Sequence, residues 1–382
     1  MTNGLTVEDK RELLKRGFSR RSFGRFASLL GAGAATLPFY NEPAMAQLSN
    51  LGELPPDAVK INANENPLGP CPEAAEAIHN IVKKGGRYLY EETFGFAKIL
   101  ADQSGLKPEY VTAYAGSSDP LHRTVLAFAS PTRSFVTGDP GYEAGARAAD
   151  FVGAKIVRVP LTKDHAHDVK AMATADPSAG VIYICNPNNP TGTLTKKSDI
   201  EWLVANKPKG AVVLLDEAYI HFSGAEFSVD LVAADKDVII LRTFSKLYGM
   251  AGLRAGAAIA RPDLLEKLRN WGAGMMPITG MTGAAASLKV KTLVAERREN
   301  LKRVREGTFA FLDKHNIGYI PSVSNCFMLD AKRPGAELVQ AMAHEKVFIG
   351  RVWPAMPNYA RITVGTADEM AKFQSALLKV MA

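Results

Sequence analysis

The sequence predicts an α/β fold: a mostly parallel central sheet covered by helices on both faces, followed by a smaller α+β domain. The first observation behind this is a series of short, almost wholly apolar runs: Ser134 to Thr137, Ala154 to Pro160, Gly180 to Cys185, Ala211 to Leu215, Val238 to Leu241 and Ala255 to Ala260. Strands buried on both faces read as continuous apolar runs, whereas a sheet with one wet face alternates. The second is that helical segments separate these runs, as the crossovers of a parallel sheet require. The third is a change of pattern after about Met275. There the chain reads as a charged helical stretch (Val290 to Lys314), strands near Tyr319 to Ile320 and Asn325 to Asp330, a helix from Gly335 to Glu345, the strand Ala360 to Val364 and a closing helix.

The 382 residues, 47% hydrophobic and 22% charged, suffice for one large domain with a smaller second one. A formal charge of +7 with no long basic block gives no footprint for a nucleic-acid partner. The three cysteines, Cys71, Cys185 and Cys326, are odd in number and lack metal-like spacing, so they read as buried thiols rather than a disulfide framework or a metal centre.

Residues 1–46 read as an export signal to be set apart from the fold. Ser19-Arg20-Arg21-Ser22-Phe23-Gly24-Arg25 resembles the twin-arginine motif, a mildly apolar run from Phe26 to Phe39 follows, and Ala44-Met45-Ala46 supplies a small-residue cleavage site. Gly31, Gly33 and Pro38 interrupt a run already short for a membrane span. The expectation is a protein exported folded into the periplasm by the twin-arginine machinery. That route suits an enzyme that captures a cofactor before crossing.

Next comes an extended loop, Ile61 to Pro70, rich in Asn, Gly and Pro and including Asn66. A short amphipathic helix follows from Pro72 to Val82, then Gly85-Gly86-Arg87-Tyr88-Leu89-Tyr90 and a helix from about Gly95 to Ser104. Ala115-Gly116-Ser117-Ser118-Asp119-Pro120 leads into apolar residues at helical spacing. Hydroxyls at the cap and an early proline predict a helix start, whose free N–H groups make a phosphate cradle; capping alone explains the same residue types.

In an open parallel sheet the ligand lies beyond the carboxyl ends of the strands, and three loops there carry polar residues. Asn186-Pro187-Asn188-Asn189-Pro190-Thr191-Gly192 is rigid and polar, and Asp216-Glu217-Ala218-Tyr219 closes a strand with an aspartate. Thr243-Phe244-Ser245-Lys246 leads on to Gly252-Leu253-Arg254. A lysine in an apolar cleft can bond an aldehyde, while Ser245 and Arg254 can grip a phosphate; pyridoxal phosphate carries both groups. A solvated basic junction is the plainer reading of the lysine loop, and a helix cap or metal ligand that of the aspartate.

With these motifs in order, the chain resembles the fold-type I pyridoxal-phosphate-dependent class I/II aminotransferases, in their histidinol-phosphate aminotransferase-like branch. The resemblance covers about residues 60–375. Its carriers are Asn-Glu-Asn-Pro at 64–67, Arg87-Tyr88, Gly116 to Asp119, the 186–192 loop, Asp-Glu-Ala-Tyr at 216–219, Thr-Phe-Ser-Lys at 243–246, Gly-Leu-Arg at 252–254 and Arg-Ile-Thr-Val-Gly at 361–365. It implies that Lys246 bonds the cofactor aldehyde and moves the substrate proton, Asp216 pairs with the ring nitrogen, and Asn189 and Tyr219 hold the phenolic oxygen. Tyr142 stacks on the ring; Gly116, Ser117, Ser118, Thr243, Ser245 and Arg254 hold the phosphate, with Tyr88 reaching in from the other subunit of a homodimer. Arg361 clamps the carboxylate of an amino acid or 2-oxo acid, and Asn66, Arg351 and Trp353 complete the substrate site. The implied domains are 1–46 signal, 47–75 N-terminal part of the small domain, 76–274 large domain and 275–382 C-terminal small domain.

Substrate choice stays open. Arg351 matches an arginine that can meet a distal phosphate in the branch. Arg-Tyr-Leu-Tyr replaces the usual Arg-Tyr-Pro, however, Pro120 stands where an acidic residue is common, and histidine synthesis needs no exported enzyme. Trp353 and Tyr90 suit an aromatic side chain equally well, so an aromatic or broad-specificity aminotransferase competes with a histidinol-phosphate enzyme. A lyase or decarboxylase on the same scaffold and a non-catalytic cofactor-binding protein are further alternatives; intact Lys246 and Asp216 speak against the latter. A nucleotide-binding α/β protein would want a GxGxxG turn, which residues 116–120 lack.

Overall fold

The computed structural model describes residues 6–22, 54–272 and 275–381. Phe23 to Arg25, the apolar run from Phe26 to Phe39 and the Ala44-Met45-Ala46 site lie outside the described residues. The strands are β1 Val59–Ile61, β2 Val111–Tyr114, β3 Ser134–Asp139, β4 Ile156–Pro160, β5 Ala179–Cys185, β6 Val212–Asp216, β7 Val238–Thr243, β8 Gly256–Ile259, β9 Tyr319–Ile320, β10 Cys326–Asp330, β11 Val347–Ile349 and β12 Tyr359–Thr363.

Seven of them form one sheet in the order β2-β8-β7-β6-β5-β3-β4. β7, β6, β5, β3 and β4 pair in parallel, while β8 runs antiparallel to both β7 and β2. Every residue of β5, β6, β7 and β8 is buried, as two covered faces demand. The parallel strands β2, β3, β5, β6 and β7 therefore deliver their carboxyl ends to one edge. β8, being reversed, starts there, so Arg254 arrives at the same edge from the opposite direction.

A second apolar core gathers Phe327, Leu329, Leu338, Ile349, Ile362 and Phe373 with Leu312 at the far end of the helix Leu293–Lys314. β1, from the N-terminal segment, pairs with β11 here, and β9, β10 and β12 form a three-stranded antiparallel sheet. The expected boundary at 275 falls ahead of a helix, Ile278–Lys289, whose Met281 and Ala284 belong to the large core. Pattern reading passes over that helix because Gly280 and Gly283 lower its propensity. The glycines are there for room: a Cβ at Gly283 would lie 2.8 Å from Ile78 Cδ1 and 2.9 Å from Met250 Cε.

Residues 6–22 do not stand apart from the folded body. The helix Val7–Lys15, capped by Thr6, buries Leu13, and Phe18 is only 2% exposed; both join the large core. Arg16 donates to the carbonyls of Leu126 (2.6 Å) and Ala129 (3.0 Å), supplying partners at the open end of the helix Ser118–Phe128. Its guanidinium carbon also lies 5.4 Å from the Trp271 ring centre.

Candidate active site

The sheet edge brings together most of the residues that the motifs suggest. Lys246 follows β7 on a loop held from below: Phe244 and Tyr248 are buried and stacked at 4.4 Å, and Leu247 is buried beside them. The Leu247 carbonyl accepts from Asn66 Nδ2 (2.8 Å) and Arg297 Nη1 (3.0 Å). Asn66, expected at the substrate, is thus placed as a tether of the lysine loop. Lys246 Nζ lies 5.7 Å from the centre of the Tyr219 ring.

Asp216 closes β6 and is 3% exposed. Its Oδ2 accepts from Tyr183 Oη at 3.0 Å and its Oδ1 from the backbone N–H of Ala218 at 3.1 Å. Burial first, then the charge of Asp216, pushes the Tyr183 phenol well above its ordinary value, so Tyr183 remains a donor. Tyr183 carries no motif; only its place on β5 beside β6 puts it here.

Two hydroxyls are loaded as acceptors. Tyr219 Oη accepts from Asn64 Nδ2 and Asn189 Nδ2, each at 3.3 Å. Both amides are oriented from behind: Asn64 Oδ1 accepts from Thr363 Oγ1 (3.0 Å) and Asn189 Oδ1 from Arg361 Nη1 (2.9 Å). With two donors on its oxygen, the Tyr219 hydroxyl can only direct its own proton elsewhere. Burial holds that phenol protonated, well above its usual range. Likewise Ser245 Oγ accepts from Thr243 Oγ1 (3.0 Å) and Arg254 Nη1 (3.2 Å), which leaves the serine proton to donate outward.

The phosphate cup fits its expected ligand. Ser117 caps the helix Ser118–Phe128 without a side-chain cap hydrogen bond, so its hydroxyl is not engaged by the helix. Arg254 has φ 56°, an uncommon left-handed backbone for a side-chain-bearing residue, anchored through Ala251 O (2.8 Å) and Ala115 O (3.1 Å). Gly116 is required opposite it: φ is +89° and a Cβ would stand 2.3 Å from Arg254 Nη2. An N-terminal helix end, two serines, a threonine and an arginine fork suit a phosphate; a buried aspartate at a strand end, a lysine and a donating phenol suit a pyridine aldehyde. Tyr142, half-buried after β3, packs against the same core.

Arg361 on β12 is 6% exposed and donates to Asn189 Oδ1 and to the carbonyl of Asn62 (2.7 Å). Among the described residues no carboxylate forms an ion pair with it, and its Nε has no partner. Burial pulls this guanidinium below its ordinary value. A buried arginine fork without a counter-ion is a receptor for a small carboxylate. Arg351 and Trp353, also expected at the substrate, stand beside it: the Trp353 ring lies 4.3 Å from the Arg351 guanidinium carbon and 5.3 Å from that of Arg361. Tyr88 points outward, 68% exposed, its ring 5.8 Å from that of Tyr90. Asn62, Asn64, Tyr183, Thr363 and Glu143 are site residues that the motifs did not single out; only Asn64, first in the Asn-Glu-Asn-Pro run, and Thr363, third in the Arg-Ile-Thr-Val-Gly run, had a signal.

The family model described as aminotransferase class I and II matches residues 56–377. A histidinol-phosphate aminotransferase of Moorella thermoacetica is 30% identical over 334 residues, spanning 85% of this chain and 86% of that protein. Histidinol-phosphate aminotransferase 2 of Pseudomonas fluorescens is 31% identical over 369 residues, 94% of this chain and 99% of the relative. In three dimensions, the histidinol-phosphate aminotransferase of Sinorhizobium meliloti, solved with pyridoxal-5'-phosphate, superposes with a TM-score of 0.77 at 26% identity, covering 84% of this chain and 90% of that one.

Proposed function

The chain belongs to the class I and II aminotransferases, as a pyridoxal-phosphate-dependent transaminase of the histidinol-phosphate aminotransferase-like branch, and on that premise we propose how its own residues divide the work. The observation that carries the reading is Arg361: a buried fork, unpaired by any described carboxylate, joined through Asn189 to Tyr219. It binds the carboxylate of an α-amino acid and then of a 2-oxo acid. When bound, pyridoxal phosphate supplies the conjugated ring that accepts the electrons of the donor's α-C–H bond. Lys246 removes and returns the α-proton, Asp216 holds a proton on the ring nitrogen, and Tyr219 donates to the phenolic oxygen. The test is spectroscopic. Full-length, cofactor-loaded protein should lose the visible band of lysine-bound cofactor when an amino acid is added and regain it with a 2-oxo acid. A band that no donor converts, or that no 2-oxo acid restores, would favour the lyase or non-catalytic alternatives.

The same proposal includes a homodimer and an export route. Val82, Tyr88, Tyr90 and Phe94 are 59%, 68%, 54% and 71% exposed, large hydrophobic side chains suited to a second copy whose Tyr88 reaches the phosphate cup. Tyr88→Phe should then loosen cofactor retention without monomerising the protein; unchanged retention would remove that role. Twin-arginine export to the periplasm is supported by the Ser19 to Arg25 motif and by the need to load the cofactor before crossing. Changing Arg20 and Arg21 together to Lys should leave precursor in the cytoplasm, and unchanged export would refute the route.

A further inference from the structure

Beside the carboxylate clamp stands a second arginine whose charge is already neutralised. Arg351, two residues beyond β11, sends its fork to Glu143: Nη1 to Oε1 is 2.8 Å, and Nη2 pairs with Oε2. The side chains are 15% and 29% exposed, so the pair is largely shielded from water. Trp353 completes the wall. It is 2% exposed, its indole N–H donates to the Gly141 carbonyl at 3.0 Å, and its ring centre lies 4.3 Å from the Arg351 guanidinium carbon. The turn after β3, residues 141–143, is thereby fastened to residues 351–353 by an ion pair and an indole hydrogen bond. Backbone bonds place this wall next to the clamp, with Arg361 N donating to Arg351 O (3.2 Å) and Gly350 N to Arg361 O (2.8 Å).

We propose that Glu143 determines side-chain specificity: by neutralising Arg351 it makes the wall beside Arg361 a closed ion pair, which selects donors with uncharged aromatic side chains over donors whose side chains end in phosphate or carboxylate. The proposal rests on the carboxylate role assigned to Arg361 and deepens it. An anionic side chain arriving at Arg351 must displace Glu143, leaving a shielded carboxylate unpaired, or lie against it as a like charge. An uncharged aromatic ring leaves the pair intact. Specificity here acts through a repulsive element as much as an attractive one.

Two amine-free carboxylates that cannot react, 3-phenylpropanoate and 3-phosphonopropanoate, read this wall without turnover. Each is titrated into the full-length, cofactor-loaded protein, following the shift in the cofactor band or in melting temperature. The wild-type protein should bind the phenyl probe at least about tenfold more tightly than the phosphonate, about 1.4 kcal/mol at that ratio. Glu143→Gln, which leaves Arg351 with an uncompensated charge, should move the ratio at least about tenfold toward the phosphonate. Arg351→Gln, which breaks the pair from the other side, should bring no such gain. Equal or tighter phosphonate binding by the wild type, or a change below about twofold in Glu143→Gln, would overturn the proposal. Because the probes do not react, this contrast is read separately from the donor and 2-oxo acid exchange, which tests the transaminase reading itself.

Discussion

The floor of the site and its side-chain wall are built in opposite ways. On the floor, Ser117, Asn189, Asp216 and Lys246 each stand within a few residues of the carboxyl end of a buried strand, so sheet register alone places them. At the wall, Glu143 and Arg351 are 208 positions apart and meet only because the turn after β3 faces the segment after β11. The floor serves chemistry common to many donors and is written in contiguous motifs. The wall serves discrimination and is written in a long-range pairing that no motif contains.

Substitutions should separate the two regions by size of effect. Lys246→Ala removes the residue proposed as proton carrier and cofactor anchor; turnover should fall by about 10⁴-fold, with loss of the visible band, and residual exchange near the wild-type rate would break the assignment of the floor. Asp216→Ala deprives Tyr183 and the Ala218 N–H of their acceptor as well as the ring nitrogen of its proposed partner, for an expected loss of about 10²- to 10³-fold and weaker cofactor retention. Asn64→Ala sharpens the comparison at the join between the regions. It removes one of the two donors on Tyr219 and the acceptor of the Thr363 hydroxyl, so kcat should drop roughly tenfold while the cofactor stays bound, in keeping with about 1 kcal/mol per hydrogen bond. Arg16→Ala touches neither region. It should lower the melting temperature of the full chain by a few degrees, about 1 kcal/mol, and leave kcat unchanged. A catalytic defect there would show that the N-terminal helix reaches the site.

How much of this is legible in the sequence follows the same division. β5, β6 and β7 announce themselves as apolar runs, and the loops that end them carry Asn189, Asp216 and Lys246 at fixed offsets. The short strands β1, β2 and β11 give no such run: three or four residues do not establish a period, and their pairing is decided by the partner strand. The helix Tyr90–Gln103 begins earlier than its glycine suggests because Leu89, at φ 47°, takes the turn instead. The docking of Leu13, Arg16 and Phe18 is hidden for another reason. A basic segment ahead of an export motif reads as solvated, and only the carbonyls of Leu126 and Ala129 at the end of their helix show where its arginine goes. Asn64 and Glu143 share this character, since their roles exist only once two distant segments have met.

The most direct measurement is stopped-flow absorbance of the full-length, cofactor-loaded protein mixed with L-phenylalanine and, separately, with O-phospho-L-homoserine, each followed by a 2-oxo acid. The expected result is rapid loss of the lysine-bound band with phenylalanine, its return with the 2-oxo acid, and slower conversion by the phosphorylated donor. A band that neither donor converts would contradict the roles assigned to Lys246 and Arg361, and faster conversion of the donor with the phosphorylated side chain would contradict the role assigned to Glu143.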